Sequence, residues 1–305
     1  MTSINYRQRG IALMQALFLT AILLTVVLSV AYQSREQVHT AFAVQHRTEA
    51  FLANYSSNND LMFALLTENW QGRSEDPQSI THRWNFYGQP FEFSASEVRI
   101  QDALGLANTG AMKPELLASV AGYFGYSAEM GSRLAEQLAD WQDADDIARP
   151  FGAEQGAYGD RVWVRNGPVQ DLSELGFLPA MNPEFQRHLS QISTLYLSST
   201  VNILNAPEAL LPYYFGEDLA EIIKQQRSEG NVDQSFISRT SGISGDEFYT
   251  YTTGPVFRIS ISSAIESARY SDEKTVVLNP YTNNPVTIWD QRKTFDDLRF
   301  SSQQP

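Results

Sequence analysis

The sequence predicts an α+β chain: a long N-terminal transmembrane helix, a small antiparallel sheet, and a large α-helical domain inserted between the strands. Three observations carry that expectation. Residues 11–34 hold no charged side chain and run on, without Pro or Gly, into a further amphipathic stretch. Short segments alternating apolar and polar residues lie at 91–100 and at 257–289. Between them, residues 112–240 space their apolar side chains at helical intervals.

The N-terminal element follows from length. The 24 residues 11–34 make a helix of about 36 Å, enough to cross a hydrocarbon core of about 30 Å. Arg7 and Arg9 precede it and no acid does, which puts residues 1–10 in the cytoplasm and the rest outside. A cleaved secretory signal has a shorter apolar run, of about 7–15 residues, and a small-x-small site, which this segment lacks. Val38, Phe42, Gln45, Leu52, Tyr55, Met62, Phe63 and Leu66 fall near one stripe, and no Pro occurs before Pro77. One continuous helix over 11–70 is expected, its second half packing that stripe on a soluble domain. A single-span anchor followed by a separate helix is the alternative.

Strands are expected at 91–94 and 97–100, then at 257–263, 274–278 and 286–289, with a turn at 281–285. Arg258, Ser260 and Ser262 would face water while Phe257, Ile259 and Ile261 face the long helix. Strands on both sides of one helical block give a single sheet domain, 71–103 with 248–305, interrupted by an insertion over 104–247. Inside the insertion, Tyr-Phe-Gly followed by Leu-Ala-Glu occurs twice (Leu134–Glu136 and Leu219–Glu221), a weak repeat of a helix–turn–helix unit. Pro207 suits a first helical turn, with Asn205 or Ala206 as its cap.

Composition excludes several functions. The chain has 305 residues, 22 Lys and Arg against 35 Asp and Glu, and a net charge of −13. An acidic chain is a poor nucleic-acid binder, and the second helical hairpin carries Glu217 and Asp218 at its turn, where phosphate would be repelled. There is no Cys, hence no disulfide and no thiolate zinc site. His39 and His46 share a helix face without an HExxH partner, and no G-x-S-x-G, P-loop or G-x-G-x-x-G is present, so no enzyme is expected. Asp140, Asp143, Asp145, Asp146 and Glu154 form an acidic cluster. It reads either as a solvated loop at a helix end or as oxygen ligands for a hard cation such as calcium. Counted as an EF-hand from Asp143, the loop fails at Ile147 and Ala148.

Arg7–Gly10 followed by Ile11-Ala-Leu-Met-Gln15 resembles the cleavage site of type IV pilins and pseudopilins. That resemblance implies cutting after Gly10 by a prepilin peptidase and methylation of Ile11. Most of that family carry Glu as the fifth residue after the cut; Gln15 stands there here. The K-type minor pseudopilins of type II secretion typically lack this Glu, and the likeness to them runs through most of the chain. Asp102–Asn108 is similar to their D-x-x-G-x-x-N segment. Trp141–Asp146 with Gly152–Glu154 is similar to their W-x-D-A-D-D … G-A-E element. Tyr158, Arg165-Asn166 and Asp171–Leu175 resemble their Tyr … Arg/Asn … Ser-Glu-Leu stretch. Val201–Pro207 resembles their N-x-N-T-A-P turn, with Leu204-Asn205 where Asn-Thr is usual.

The resemblance implies a pilin-like fold and a minor pseudopilin capping the tip of the type II secretion pseudopilus, in the machinery that exports folded proteins across the outer membrane. It implies a single-pass inner-membrane protein with its C-terminal domain in the periplasm. The expected partners are other minor pseudopilins, the prepilin peptidase and the inner membrane. Gln15 would determine tip placement. Calcium in the inserted domain would be structural, on Asp143, Asp145, Asp146 and Glu154. A minor pilin of a type IV pilus is the alternative, and a membrane-tethered hydrolase the third class.

Overall fold

The computed structural model describes residues 7–70, 74–196, 198–230 and 232–297. Of the expected leader 1–10, residues 1–6 lie outside the described residues. The order of elements is the one expected: long helix, strands, helical block, strands.

Helix α1 (Arg7–Thr67) is continuous. From Ile11 onward it is long and apolar enough to cross a membrane, and that apolar window is unburied. After the short α2 (Ile80–Arg83) come β1 (Phe91–Phe93) and β2 (Ser96–Asp102). The insertion then runs β3 (Ala107–Asn108), α3 (Pro114–Tyr123), α4 (Ala128–Gln142), α5 (Gln155–Tyr158), α6 (Pro183–Ile192), β4 (Ser193–Thr194), β5 (Val201–Asn202), α7 (Leu211–Phe215), α8 (Glu217–Ser228), α9 (Gln234–Ser241) and β6 (Tyr249–Thr250). The chain closes on β7 (Val256–Ile265), β8 (Ala268–Leu278) and β9 (Val286–Asp297). The main sheet has the order β1-β2-β7-β8-β9 and is antiparallel throughout. Gly125 and Gly216, at φ 78° and 76°, turn the two helical hairpins α3–α4 and α7–α8, a backbone region that favours Gly.

Two cores result. Leu61, Leu65, Val98, Ile100, Phe257, Ile259, Ile261 and Val276 fill the space between α1 and the sheet. Leu117, Val120, Leu134, Leu138, Phe185, Leu210, Leu211 and Ile223 fill the insertion.

The face that α1 turns to the sheet is not the expected one. Ala50, Asn54, Ser57, Leu61, Ala64 and Leu65 are buried, whereas Val38, Phe42, Gln45, Leu52, Tyr55 and Phe63 are exposed; only Met62 and Leu66 of the expected stripe are half-buried. Small side chains let the helix approach the sheet closely, and its polar groups are matched there. Asn54 Nδ2 donates to the Ile261 carbonyl at 2.8 Å. Ser57, Ser96 and Ser263 form a hydroxyl chain at 2.9 and 2.6 Å. Lys274 Nζ reaches Asn58 and Asp272. Each of these buried polar groups finds a partner, so hydrophobicity was the wrong guide to this face.

The junction between the two cores is polar. The Asp102 carboxylate, fully buried, accepts from Asn202 Nδ2 and Asn205 Nδ2 (2.9 Å each), Leu104 N–H (3.0 Å) and Gly254 N–H (3.3 Å). Burial pushes the Asp102 pKa up, against those four hydrogen bonds. Gly105 is required beside it, because a Cβ there would run into the Asn205 backbone. Asn205 therefore ties the insertion to β2 and caps no helix, contrary to expectation; Asn202 caps the short turn instead, its Oδ1 accepting from Leu204 N–H. Arg258 does not face water. Its guanidinium donates to the carbonyls of Ser190, Gln191 and Ser193 at 2.7–3.0 Å, at the C-terminal end of α6, where a cation suits the helix dipole. Arg227 is buried against the Tyr87 ring, 4.1 Å away, and donates to the Leu204 carbonyl. The insertion extends past the expected boundary at 247: Tyr249 and Thr250 pair with β5, and Tyr251 lies in the helical core.

Candidate metal centre

Helix α4 sets the site. Ser127 caps its N-terminus, its side chain accepting from Met130 N–H. Leu134, Ala135, Leu138 and Trp141 bury its apolar face. The helix ends as Asp143 N–H closes on the Ala139 carbonyl, so the acids that follow gather at a helix C-terminus. The dipole is negative there, and more carboxylates make a cation favourable.

Trp141 fixes the floor. Its Nε1 donates to Glu174 Oε2 at 3.1 Å, and Tyr158 packs on it with ring centroids 5.3 Å apart. Glu174 also takes Arg165, with Nη2 to Oε1 at 2.6 Å, and the N–H groups of Gln170 and Asp171. Burial pushes the Glu174 pKa up, but Arg165, Trp141 and Gln170 together outweigh it and hold it below the ordinary value.

Above this floor, Asp143, Asp145 and Glu154 each offer one carboxylate oxygen, and the three lie within 4.8 Å of one another. Asp145 Oδ1 also accepts the Ile147 N–H at 2.9 Å. Asp146 is exposed and stands outside this trio. Asp140 is taken: its side chain is wholly buried, accepts the backbone N–H of Arg149 at 3.1 Å, and pairs with the Arg149 guanidinium. Gly152 is required beside it, since a Cβ there would fall on the Asp140 carboxylate.

Polar satisfaction gives an independent test of whether a cation fits. The buried side-chain atoms without a hydrogen-bond partner, among the described residues, are Asp143 Oδ1, both Glu154 oxygens, Tyr158 Oη, and two nitrogens of Arg227. All but the Arg227 pair belong to this site. Burial first, then Asp140, Asp143, Asp146 and Asp145, raise the Glu154 pKa. Burial, then Asp140 and Glu154, pushes the Tyr158 hydroxyl up to about 12. The donor set is all hard oxygen, which suits calcium or magnesium and not a soft metal. Ligands about 2.4 Å from one calcium ion lie at most about 4.8 Å apart, so one such ion can reach all three.

Elsewhere, Gln15 sits exposed on α1 within the uncharged segment, and Gly10 and Ile11 are part of the same helix. Sequence reasoning missed Arg149, the packing of Gly152 on Asp140, and the pairing of Glu174 with Arg165. A signal for Arg149 was available: it is the only base between Arg133 and Arg161, a stretch with seven acids.

Comparison with known proteins agrees with the motifs that build this centre. Residues 105–197, which contain it, match the family model for type II secretion system protein K. The type II secretion system protein K of Klebsiella pneumoniae is 26% identical over 233 residues, covering 68% of this chain and 70% of that one. Its Pseudomonas aeruginosa counterpart is 24% identical over 237 residues, 69% of each chain. Among solved structures, a chain of the GspK–GspI–GspJ complex from enterotoxigenic Escherichia coli covers 86% of this chain and 99% of its own, at TM-score 0.48 and 14% identity. The family model and the two relatives favour secretion over the type IV pilus alternative. The family is a structural component of the secretion machinery, and the family together with α1 points to a single-pass membrane anchor. Over residues 105–197 the chain matches the model of the protein K family of type II secretion, and across about two thirds of its length it is similar to two proteins of that name.

Proposed function

We propose that this chain is processed at Gly10–Ile11 by a prepilin peptidase, methylated on Ile11, and assembled as the cap of a secretion pseudopilus. Its α1 is held in the inner membrane and its folded part stands in the periplasm. The work is mechanical and non-enzymatic: the bulky insertion ends the fibre, and other minor pseudopilins pack along α1 below it.

The observation that carries this reading is the division of α1. Its N-terminal part is uncharged over lipid length, with Gln15 as the fifth residue after Gly10, where the resemblance to pilins implies an acid. Its C-terminal part turns Val38, Phe42, Leu52, Tyr55 and Phe63 away from its own sheet, leaving an apolar surface for neighbouring subunits. A carboxylate in lipid is costly unless paired with a cation, such as a neighbour's amino terminus. A subunit lacking it makes no demand for a subunit ahead of it.

The calcium reading rests on the unpartnered oxygens. Asp143, Asp145 and Glu154 would hold the ion, with Asp146 adding charge nearby. A bound dication would remove the repulsion among them and fix the loop after α4.

The test is complementation of a strain lacking this gene. The wild-type chain should restore export of folded proteins. Gln15→Glu should insert in the membrane normally yet lower export and alter the composition of isolated tip complexes. Unchanged export and unchanged tip composition in Gln15→Glu would remove the argument from this residue.

A further inference from the structure

We infer that Arg149 is the positioning residue of the carboxylate trio: anchored on buried Asp140, it holds one oxygen of Asp143 so that the other is aimed at the ion. This rests on the calcium reading above and concerns a residue outside the ligand set.

Arg149 faces two carboxylates and engages them differently. Its backbone N–H and its Nη1 both engage Asp140, one on each carboxylate oxygen. Asp140 is wholly buried, in a notch that only Gly at 152 leaves open, so this end of the contact is fixed by packing. The same Nη1 lies 2.5 Å from Asp143 Oδ2. Asp143 Oδ1 is left buried without a partner, as are both oxygens of Glu154. The two oxygens of Asp143 are thus divided between them, with Oδ2 held by the arginine and Oδ1 free for the cation.

Two roles for such an arginine predict opposite outcomes. A cation competing for Asp143 would have to leave before a metal entered, and its removal would tighten metal binding. A positioning cation stays, and its removal loosens the ligand. The structure favours the second, because Oδ1 is already unencumbered and Arg149 is tied to Asp140 by its main chain. The lost charge works the other way, but the Arg149 side chain is 40% exposed, so solvent screens it. Partners that orient metal ligands are typically worth about 10–100-fold in metal affinity.

The experiment is calcium titration by calorimetry on the detergent-solubilised full chain. Arg149→Met should bind calcium about tenfold more weakly than wild type. Arg149→Lys keeps the charge but not the fork, and should recover part of that loss. Arg149→Met leaves Asp140 buried and unpaired, so its folding is checked by circular dichroism. The double variant Asp140→Asn with Arg149→Met removes the orphaned charge and should remain about tenfold weaker. Wild-type affinity in Arg149→Met, tighter binding, or recovery in the double variant would each overturn the inference while leaving the calcium reading intact. Absence of calcium binding by the wild-type chain would sink both.

Discussion

Asp102 and Glu154 are both carboxylates withdrawn from solvent, one at the domain junction and one in the loop after α4, and the protein treats them oppositely. Asp102 is surrounded by donors: two Asn amides and two backbone N–H groups. Glu154 has both oxygens buried and no hydrogen-bond partner. Burial raises both pKa values, but at Asp102 four hydrogen bonds work against it, whereas at Glu154 the remaining influences are four more acids that raise it further. A carboxylate that the fold satisfies by itself is structural. One that the fold leaves unsatisfied is open to something outside the chain, and the contrast can be tested from either side.

The largest effect is expected at the satisfied carboxylate. Asp102→Ala leaves four donors facing an apolar gap, and should cost at least about 3 kcal/mol, since each buried polar group left unsatisfied costs about 1–3 kcal/mol. Asp102→Asn keeps one acceptor but turns an amide toward the Asn202 and Asn205 donors, and should cost about 1–3 kcal/mol. Urea unfolding with calcium and with chelator measures both. Equal losses in the two media are expected, because none of the partners of Asp102 belongs to the carboxylate trio. A loss seen only with calcium would join the two regions and end the contrast.

The second effect is removal of the cation. Chelation should lower the melting temperature of the solubilised chain, since an ion that binds only the folded state stabilises it by about 2.7 kcal/mol at a hundredfold excess over Kd. Asp143→Ala with Asp145→Ala should erase the difference. No change on chelation, with no calcium found by elemental analysis, would return the trio to a solvated acidic loop.

Much of this was legible from the residues. The uncharged run from Ile11, the alternation at Phe257–Ile261 and the hairpin glycines placed the elements, because period and backbone freedom are local properties. The contact face of α1 was not legible from hydrophobicity. Beside Leu61 and Leu65 it holds Ala50, Asn54 and Ser57, and the burial of the two polar ones depends on partners such as the Ile261 carbonyl and Ser96 far along the chain. Arg258 failed likewise: strand alternation gives a residue's side of the sheet, but not that α6 ends over it. At the candidate site, charge density singled out Asp140, Asp143, Asp145, Asp146 and Glu154 together, without separating the three that face one another. That Asp140 is consumed internally, and that Arg149 consumes it, required the notch over Gly152.

The smallest effect sharpens the comparison most, because its sign should reverse. Glu154 has a folded-state pKa above its unfolded value, through burial first and then Asp140, Asp143, Asp146 and Asp145. A raised carboxylate pKa means that ionisation costs stability in the folded, metal-free chain. That cost is full above the folded pKa and fades as pH falls through it toward the unfolded value. In chelator at neutral pH, Glu154→Gln should therefore melt higher than wild type. The gap should close on acidification, as Glu154 in the wild type takes up a proton. In calcium the order should invert, because the amide gives up the charge that binds the ion while wild type keeps it. Melting curves of the two proteins in both media, at neutral and mildly acidic pH, decide the matter. If Glu154→Gln were destabilising in chelator as well, Glu154 would be making an internal contact of the kind Asp102 makes, and the two carboxylates would no longer differ in kind.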